Sequence, residues 1–273
     1  TAFIAFVGAM LGLVLANDLL VLFVFWELTT VFSYLLIGFD PLKRANRLAA
    51  MEALIVTTLG GLVMLVGMLV LGGEAGTLRI DEILADPPAA STSLTVAVML
   101  ILVGALSKSA LFPFHFWLPG AMAAPTPVSA YLHAAAMVKA GVYLVALLAP
   151  AFSDVPGWHL VVLGLGTLTM LIGGWRALRQ IDVKLLLAYG TVSQLGFLMV
   201  LLGIGTRTAA LAGLGLLLSH ALFKATLFLV VGIVDHQTGT RDLRELSGVG
   251  RAMPVVATAA VLAGASMAGV PPL

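Results

Sequence analysis

The sequence predicts an all-α protein of the membrane: a polytopic helix bundle of about nine transmembrane segments, forming one domain over residues 1–273. Three observations carry that prediction. The chain is 61% hydrophobic and only 10% charged, against about 25% charged residues in a soluble domain. Apolar runs of about 20 residues, long enough to cross a hydrocarbon core, recur from end to end. Basic residues outside the apolar runs gather in alternate connectors along the chain. A β-barrel would show short alternating segments instead. A net charge of +1 leaves no footprint for nucleic acid, and a sequence without cysteine excludes thiol chemistry, disulfides and cysteine-held metals.

The segments fall at 2–16, 18–39, 47–72, 94–119, 127–149, 157–178, 182–205, 209–236 and 253–273. The chain opens on Thr1 and stops at GVPPL, so the outer segments are expected to be truncated pieces of a longer protein. Connectors 40–47, 176–184 and 237–252 hold nine basic residues: Lys43, Arg44, Arg47, Arg176, Arg179, Lys184, Arg241, Arg244 and Arg251. Connectors 73–93, 150–156 and 203–208 hold two, Arg79 and Arg207, beside Glu74, Asp81, Glu82, Asp86 and Asp154. The positive-inside rule makes the basic face cytoplasmic and runs the first segment outward. The expected location is a cell membrane, crossed many times.

The fourth segment is the expected discontinuous helix. Pro113 has no N–H and clashes with the carbonyl of Ser109 one turn back; Pro119 does the same to His115. Carbonyls freed at membrane depth persist only when buried in protein or facing water. Discontinuous helices near the midplane are a recurring device for ion sites.

Three basic residues, Lys108, Lys139 and Lys224, are left inside predicted helices, and Glu27 joins them from the acids. A lysine or aspartate at a helix centre is unfavourable by about 2.5 to 3.5 kcal/mol on insertion scales, and such groups face a bundle interior or a wet cavity. All four fall at similar depth on four different helices. A row across the membrane plane can relay charge sideways if polar side chains or water fill the gaps.

Each candidate has a plain structural alternative. Glu27 and Lys108 can form a charge switch or a permanent buried ion pair. Lys139 can carry a proton at the centre, with His133 as its link to the cytoplasm, or each can be fixed by a neighbouring helix. On an ideal helix these two are about 120° apart. His220 and Lys224, at i and i+4, share one face and suit a proton path better than a metal site. Ser193 and Gln194 suit a hydrated cavity or helix–helix hydrogen bonding. His115 is expected to be a satisfied polar residue at the break, and Asp182 with Lys184 to mark an ordinary cytoplasmic turn. No metal or cofactor site is expected.

The strings FWELTTVFSYLLIGF, LSKSALFPFHFWLPGAMAAPTPVSAYLHAAAMVKAGVY, DVKLLLAYGTVSQLGF and SHALFKATLFL resemble, in order, the antiporter-like subunits shared by Mrp-type cation/proton antiporters, respiratory complex I and membrane-bound hydrogenases. VGIVDHQTGTRDLRELSGVG and a lysine at 139 resemble the A-subunit branch of the Mrp antiporters. The resemblance implies two inverted repeats, each with a broken helix, of which the chain is expected to show only the first. It implies a proton route through Glu27, Lys108, Lys139, His133, Lys224 and His220. It also implies partner membrane subunits in one complex and H⁺ and Na⁺ as the transported ions. Two rival expectations stand beside it. One is the homologous proton-pumping subunit of a complex I-like NADH-quinone oxidoreductase or membrane-bound hydrogenase, and the other is a non-conducting structural subunit.

Overall fold

A computed structural model describes residues 1–270; positions 271–273 of the ninth expected segment lie outside the described residues. The described residues are all-α. In chain order the helices are α1 (Ala2–Leu15), α2 (Leu19–Ile37), α3 (Arg44–Ala75), α4 (Ile80–Ala85), α5 (Thr92–Lys108), α6 (Trp117–Gly120), α7 (Thr126–Ser129), α8 (Lys139–Phe152), α9 (Leu165–Ala177), α10 (Val183–Gly203), α11 (Arg207–Thr238), α12 (Val249–Ala252) and α13 (Pro254–Met267).

The expected count of nine spans is corrected to six long apolar ones. Leu19–Ile37, Arg44–Ala75, Thr126–Phe152 taken as one run, Leu160–Ala177, Val183–Gly203 and Arg207–Thr238 are long and apolar enough to cross a membrane. The other three expected segments hold the shorter apolar helices α1, α5 and α13. The fourth segment falls short because its helix stops at Lys108, well before Pro119. The ninth falls short because α13 stops at Met267, with Gly269 left-handed just beyond it at φ 72°.

Helices α5 and α13 close in the same way. At the end of α5, the Ala110 N–H bonds the Ser107 carbonyl and the Leu111 N–H bonds the Leu106 carbonyl. At the end of α13, Gly269 bonds Ser266 and Val270 bonds Ala265. Both are the paired 5→2 and 6→1 closure around a left-handed residue. In α5 that residue is Ala110, at φ 52°, where glycine is the usual occupant.

A second pair of features also matches. Asp18 caps α2 through its carboxylate, and Asp182 caps α10. After each comes a 32-residue helix, α3 or α11, ended by a left-handed glycine, Gly76 or Gly239. The chain then returns to the cap, through the Asp18–Arg79 bridge on the acidic face and the Asp182–Asp242 bridge on the basic face.

Glycines set the close packing. A Cβ on Gly60, Gly67 or Gly104 would strike the facing helix of the α3–α5 pair, and one on Gly166, Gly173 or Gly196 that of α9–α10. Connectors near residues 39–46, 119–126, 181–185 and 235–244 line shared cavities on the basic face. Residues 88–95 and 151–156 share one on the opposite face. The alternation of connectors expected from charge is therefore the alternation in space. Leucines such as Leu59, Leu69 and Leu211 point outward from this frame, as lipid-facing positions should.

Candidate functional site

The break after Lys108 is held by bonds from its neighbours. The Trp117 indole N–H bonds the Ser107 carbonyl at 3.0 Å. The Phe112 N–H bonds Thr169 Oγ1 at 2.9 Å. Short helical turns then carry the chain from Phe114 to Ala123. Pro113 and Pro119 lie after the point where α5 ends, and Pro119 is itself inside α6.

Lys108, the last residue of α5, is fully buried. Its ammonium donates to the Trp26 carbonyl at 2.9 Å and to Thr30 Oγ1 at 2.5 Å, and lies 5.2 Å from the centre of the Trp26 ring. Glu27 follows Trp26 on α2, yet its Oε1 is buried with no hydrogen-bond partner. That oxygen occupies the space over Gly61 of α3, where any Cβ would collide with it.

Lys139 opens α8, because the fifth expected segment is itself broken. Residues Ala130–Ala135 form a π-turn. The Ala136 and Met137 amides reach back five residues to Tyr131 and Leu132, and the helix restarts only at Lys139. The expectation of one discontinuous helix is thus amended, and so is the ideal-helix angle between His133 and Lys139. Such π-turns occur often at functional sites. His133 is buried, with its ring 6.1 Å from Trp117 and neither nitrogen partnered. The Lys139 ammonium instead donates to the Leu217 carbonyl of α11 at 3.1 Å.

On α11, Lys224 is buried and donates to the Leu187 carbonyl of α10 at 3.3 Å. The same carbonyl accepts from Thr191 Oγ1 at 2.8 Å. Trp26 and Thr30 share this arrangement with Lys108: a lysine on a neighbouring helix's carbonyl, with a threonine four residues on that also bonds it. His220 is buried one turn from Lys224, with both nitrogens unpartnered.

One residue assigned to a turn belongs with these. Lys184 is buried and donates to the Ala124 carbonyl at 2.6 Å. It lines a cavity of about 900 Å³ on the basic face with Asp182, Asp235, Arg241, Asp242 and Arg244. The signal is present in the sequence, since Lys184 lies inside the apolar run that Asp182 caps. His115 has an unpartnered Nδ1 and stacks on Phe112 at 5.9 Å, so it is less satisfied than expected. Among the described residues no group of acidic or histidine side chains could hold a metal ion.

The salt bridges among the described residues lie in the connectors or, for Asp235, in the last turn of α11, and none involves Lys108, Lys139 or Lys224. Lys108, Lys139 and Lys224 each rest on the main-chain carbonyl of another helix. A carbonyl offers a partial charge and can be left without stranding a carboxylate, so the arrangement can hold and release positive charge.

The family model described as NADH:quinone oxidoreductase/Mrp antiporter, TM, matches residues 16–273. The chain is 49% identical over 271 residues to a probable K(+)/H(+) antiporter A/B subunit of Rhizobium meliloti, covering 98% of this chain and 27% of that protein. It is 46% identical over 283 residues to the Na(+)/H(+) antiporter A subunit of Alkalihalophilus pseudofirmus, covering 98% and 35%. Among solved structures, the Mrp complex from a Dietzia species matches with TM-score 0.95 and 47% identity, over 100% of this chain and 30% of that one. The membrane-bound sulfane sulfur reductase, an archaeal respiratory complex, matches with TM-score 0.92 and 30% identity, over 99% and 56%. The chain therefore spans 27% and 35% of the length of these two curated relatives.

Proposed function

This chain belongs to the NADH:quinone oxidoreductase/Mrp antiporter transmembrane family, and from that premise we propose that it is the proton-translocating core of an A subunit in a multi-subunit monovalent cation/proton antiporter. It works as a transporter in a bacterial plasma membrane, together with partner membrane subunits, exchanging H⁺ against Na⁺ or K⁺. The observation that carries this reading is the set of three lysines resting on carbonyls of neighbouring helices, with Glu27 Oε1 left without a hydrogen bond on the helix that holds one of them. A purely structural role would be expected to keep these charges in fixed ion pairs.

In this mechanism a proton reaches Lys139 by way of His133. Glu27 and Lys108 set the field around it: when they approach, each holds the other charged, and when they part, Lys108 gives up its proton more readily. The proton then moves along the membrane plane past His220 to Lys224. The breaks at 109–113 and 136–138 put Lys108 and Lys139 at helix ends, where a small hinge motion changes which carbonyl each ammonium meets.

The matched caps, long helices and closures support an inverted repeat, in which α2–α3–α5 and α10–α11–α13 are equivalent with opposite sense. Gly61 and Lys224 each stand 17 residues beyond the first residue of their long helix. In one half an acid on the short helix fills the gap over Gly61. In the other half Lys224 on the long helix lies over Gly190 of the short one. In this reading the end of α13 at Met267 is the counterpart of the end of α5 at Lys108.

The test is cation-driven proton movement by the intact complex in everted vesicles. Lys139→Ala and Glu27→Ala should each reduce exchange by about a hundred-fold or more, the scale of a lost proton-transfer group. Unchanged exchange in both would sink the proposal. The likeness to the sulfane sulfur reductase complex favours a redox-driven pump as the second reading. A purified complex that holds flavin or iron–sulfur clusters would select it.

A further inference from the structure

We propose that Gln194 is a positioning residue of this route, its carboxamide linked through water to the Lys224 ammonium and the His220 imidazole. The inference rests on the proton path just described and adds a residue to it. Two contacts fix the register of α10 against α11. Lys224 Nζ lies at Leu187 and within 2.9 Å of a Cβ built on Gly190. At the other end, a Cβ built on Gly213 would meet Leu202 Cδ2 at 2.6 Å. The helices are antiparallel, so His220, one turn from Lys224 toward Gly213, comes level with residues 193 and 194 of α10. Phase agrees with level. Positions 187, 190, 191 and 194 fall on one face at 100° per residue, and 187 and 190 are the positions that meet Lys224. Ser193 faces the other way, bonding the Met170 carbonyl of α9 at 2.8 Å.

The unpartnered polar atoms agree with this placement. Gln194 Oε1 is buried without a partner, and so are both nitrogens of His220. Lys224 is a donor only, and a neutral imidazole has one donor and one acceptor. A carboxamide has both, so Oε1 can accept from the ammonium side while Nε2–H donates toward the imidazole, in each case through one water. Side chains lean toward the N-terminus of their helix, which brings Gln194 toward the level of Lys224. Lys139, on the Leu217 carbonyl, is on the other side of His220. Gln194 thus orients the imidazole that stands between two lysines.

The experiment uses the full-length protein in its assembled complex, with exchange driven by NaCl and by KCl in everted vesicles. Gln194→Leu should lower maximal exchange about ten-fold, the scale of a lost hydrogen bond to a charged group. The half-saturating cation concentration should stay unchanged. Gln194→Met, unbranched and of similar length, should do the same if the leucine variant assembles poorly. In a His220→Ala background, Gln194→Leu should cause no further loss, since its effect passes through His220. Near-normal exchange in both Gln194 variants, or a full further loss in the double variant, overturns the proposal and leaves the route standing. Normal exchange in His220→Ala and Lys224→Ala overturns the route and this proposal with it.

Discussion

The ammonium of Lys108 is held 2.9 Å from the carbonyl oxygen of Trp26, the residue just before Glu27. The lysine is thus anchored to the backbone of the helix that carries its expected partner, not to the partner's carboxylate. The anchor has a second arm, Thr30 Oγ1 at 2.5 Å.

Removing that arm tests the anchor. Thr30→Val keeps the shape and deletes the hydroxyl. Hydrogen bonds to charged groups contribute about 1.5–3 kcal/mol, and Thr30→Val is expected to destabilise the complex by about that amount. Thermal unfolding of the purified complex reads it out. An unchanged melting temperature would show that the Trp26 carbonyl alone holds Lys108.

Two glycines separate effects on transport from effects on folding. In Gly61→Ala the new methyl meets Glu27 Oε1, the free end of a side chain. The chain should fold, but the carboxylate must leave its place, so exchange should fall with complex yield intact. In Gly141→Ala the methyl runs into the Ala105 carbonyl, which cannot swing aside. That variant should lose assembled complex, by about the 1–3 kcal/mol of an overpacked core. Equal yields of the two variants would contradict the distinction.

Thr169 is the remote support of the break. Its hydroxyl accepts from the Phe112 N–H and donates to the Leu165 carbonyl at 2.6 Å. Thr169→Val strands a half-buried N–H, which is expected to destabilise by about 1–3 kcal/mol. Hydrogen exchange at Phe112 should accelerate in the variant, while amides in the middle of α3 should not change.

The strap on the basic face gives a pH test. Arg244 hydrogen-bonds the Asp242 carboxylate and holds its pKa down, from an ordinary 3.8 to about 2. A depressed carboxylate contributes stability above its unfolded pKa and loses it as pH falls through the folded one. The contribution is small because the pair is solvent-screened. The Val183 and Leu243 amides bond the Arg241 and Ile181 carbonyls. Their protection should be flat from about pH 7 to pH 4 and drop only toward about pH 2. A drop near pH 5 would exclude Asp242 as the group responsible.

Much of this architecture is legible in the sequence because hydropathy and loop charge act through the bilayer, which is the same for every helix. The proline rule places the trouble at Ser109, and α5 ends one residue before it. Other features depend on neighbours distant in sequence. The break at 136–138 lies in AAAMVK, where alanine and methionine favour helix and no residue forbids it. Lys184 reads as a surface charge because its carbonyl partner, Ala124, is 60 residues away. The matched closures are hidden because they lie in the backbone while their side chains differ: Ala110 against Gly269, and Lys108 against Met267.

Helices α3 and α11 have 32 residues each, or about 48 Å of length, against a hydrocarbon core of about 30 Å. Both overshoot the bilayer, and each is tied back at one end to the cap of its short neighbour. They are the stiff struts of the assembly. Between them lie the interrupted helices α5 and α8, whose ends at Lys108 and Lys139 are buried. A load applied to a strut moves it as a unit, while a load at Lys108 or Lys139 acts on a helix end held by its closure and by bonds from neighbouring helices. Two of the buried charges therefore sit at interruptions of the helical frame, while the lipid-facing length is carried by unbroken struts.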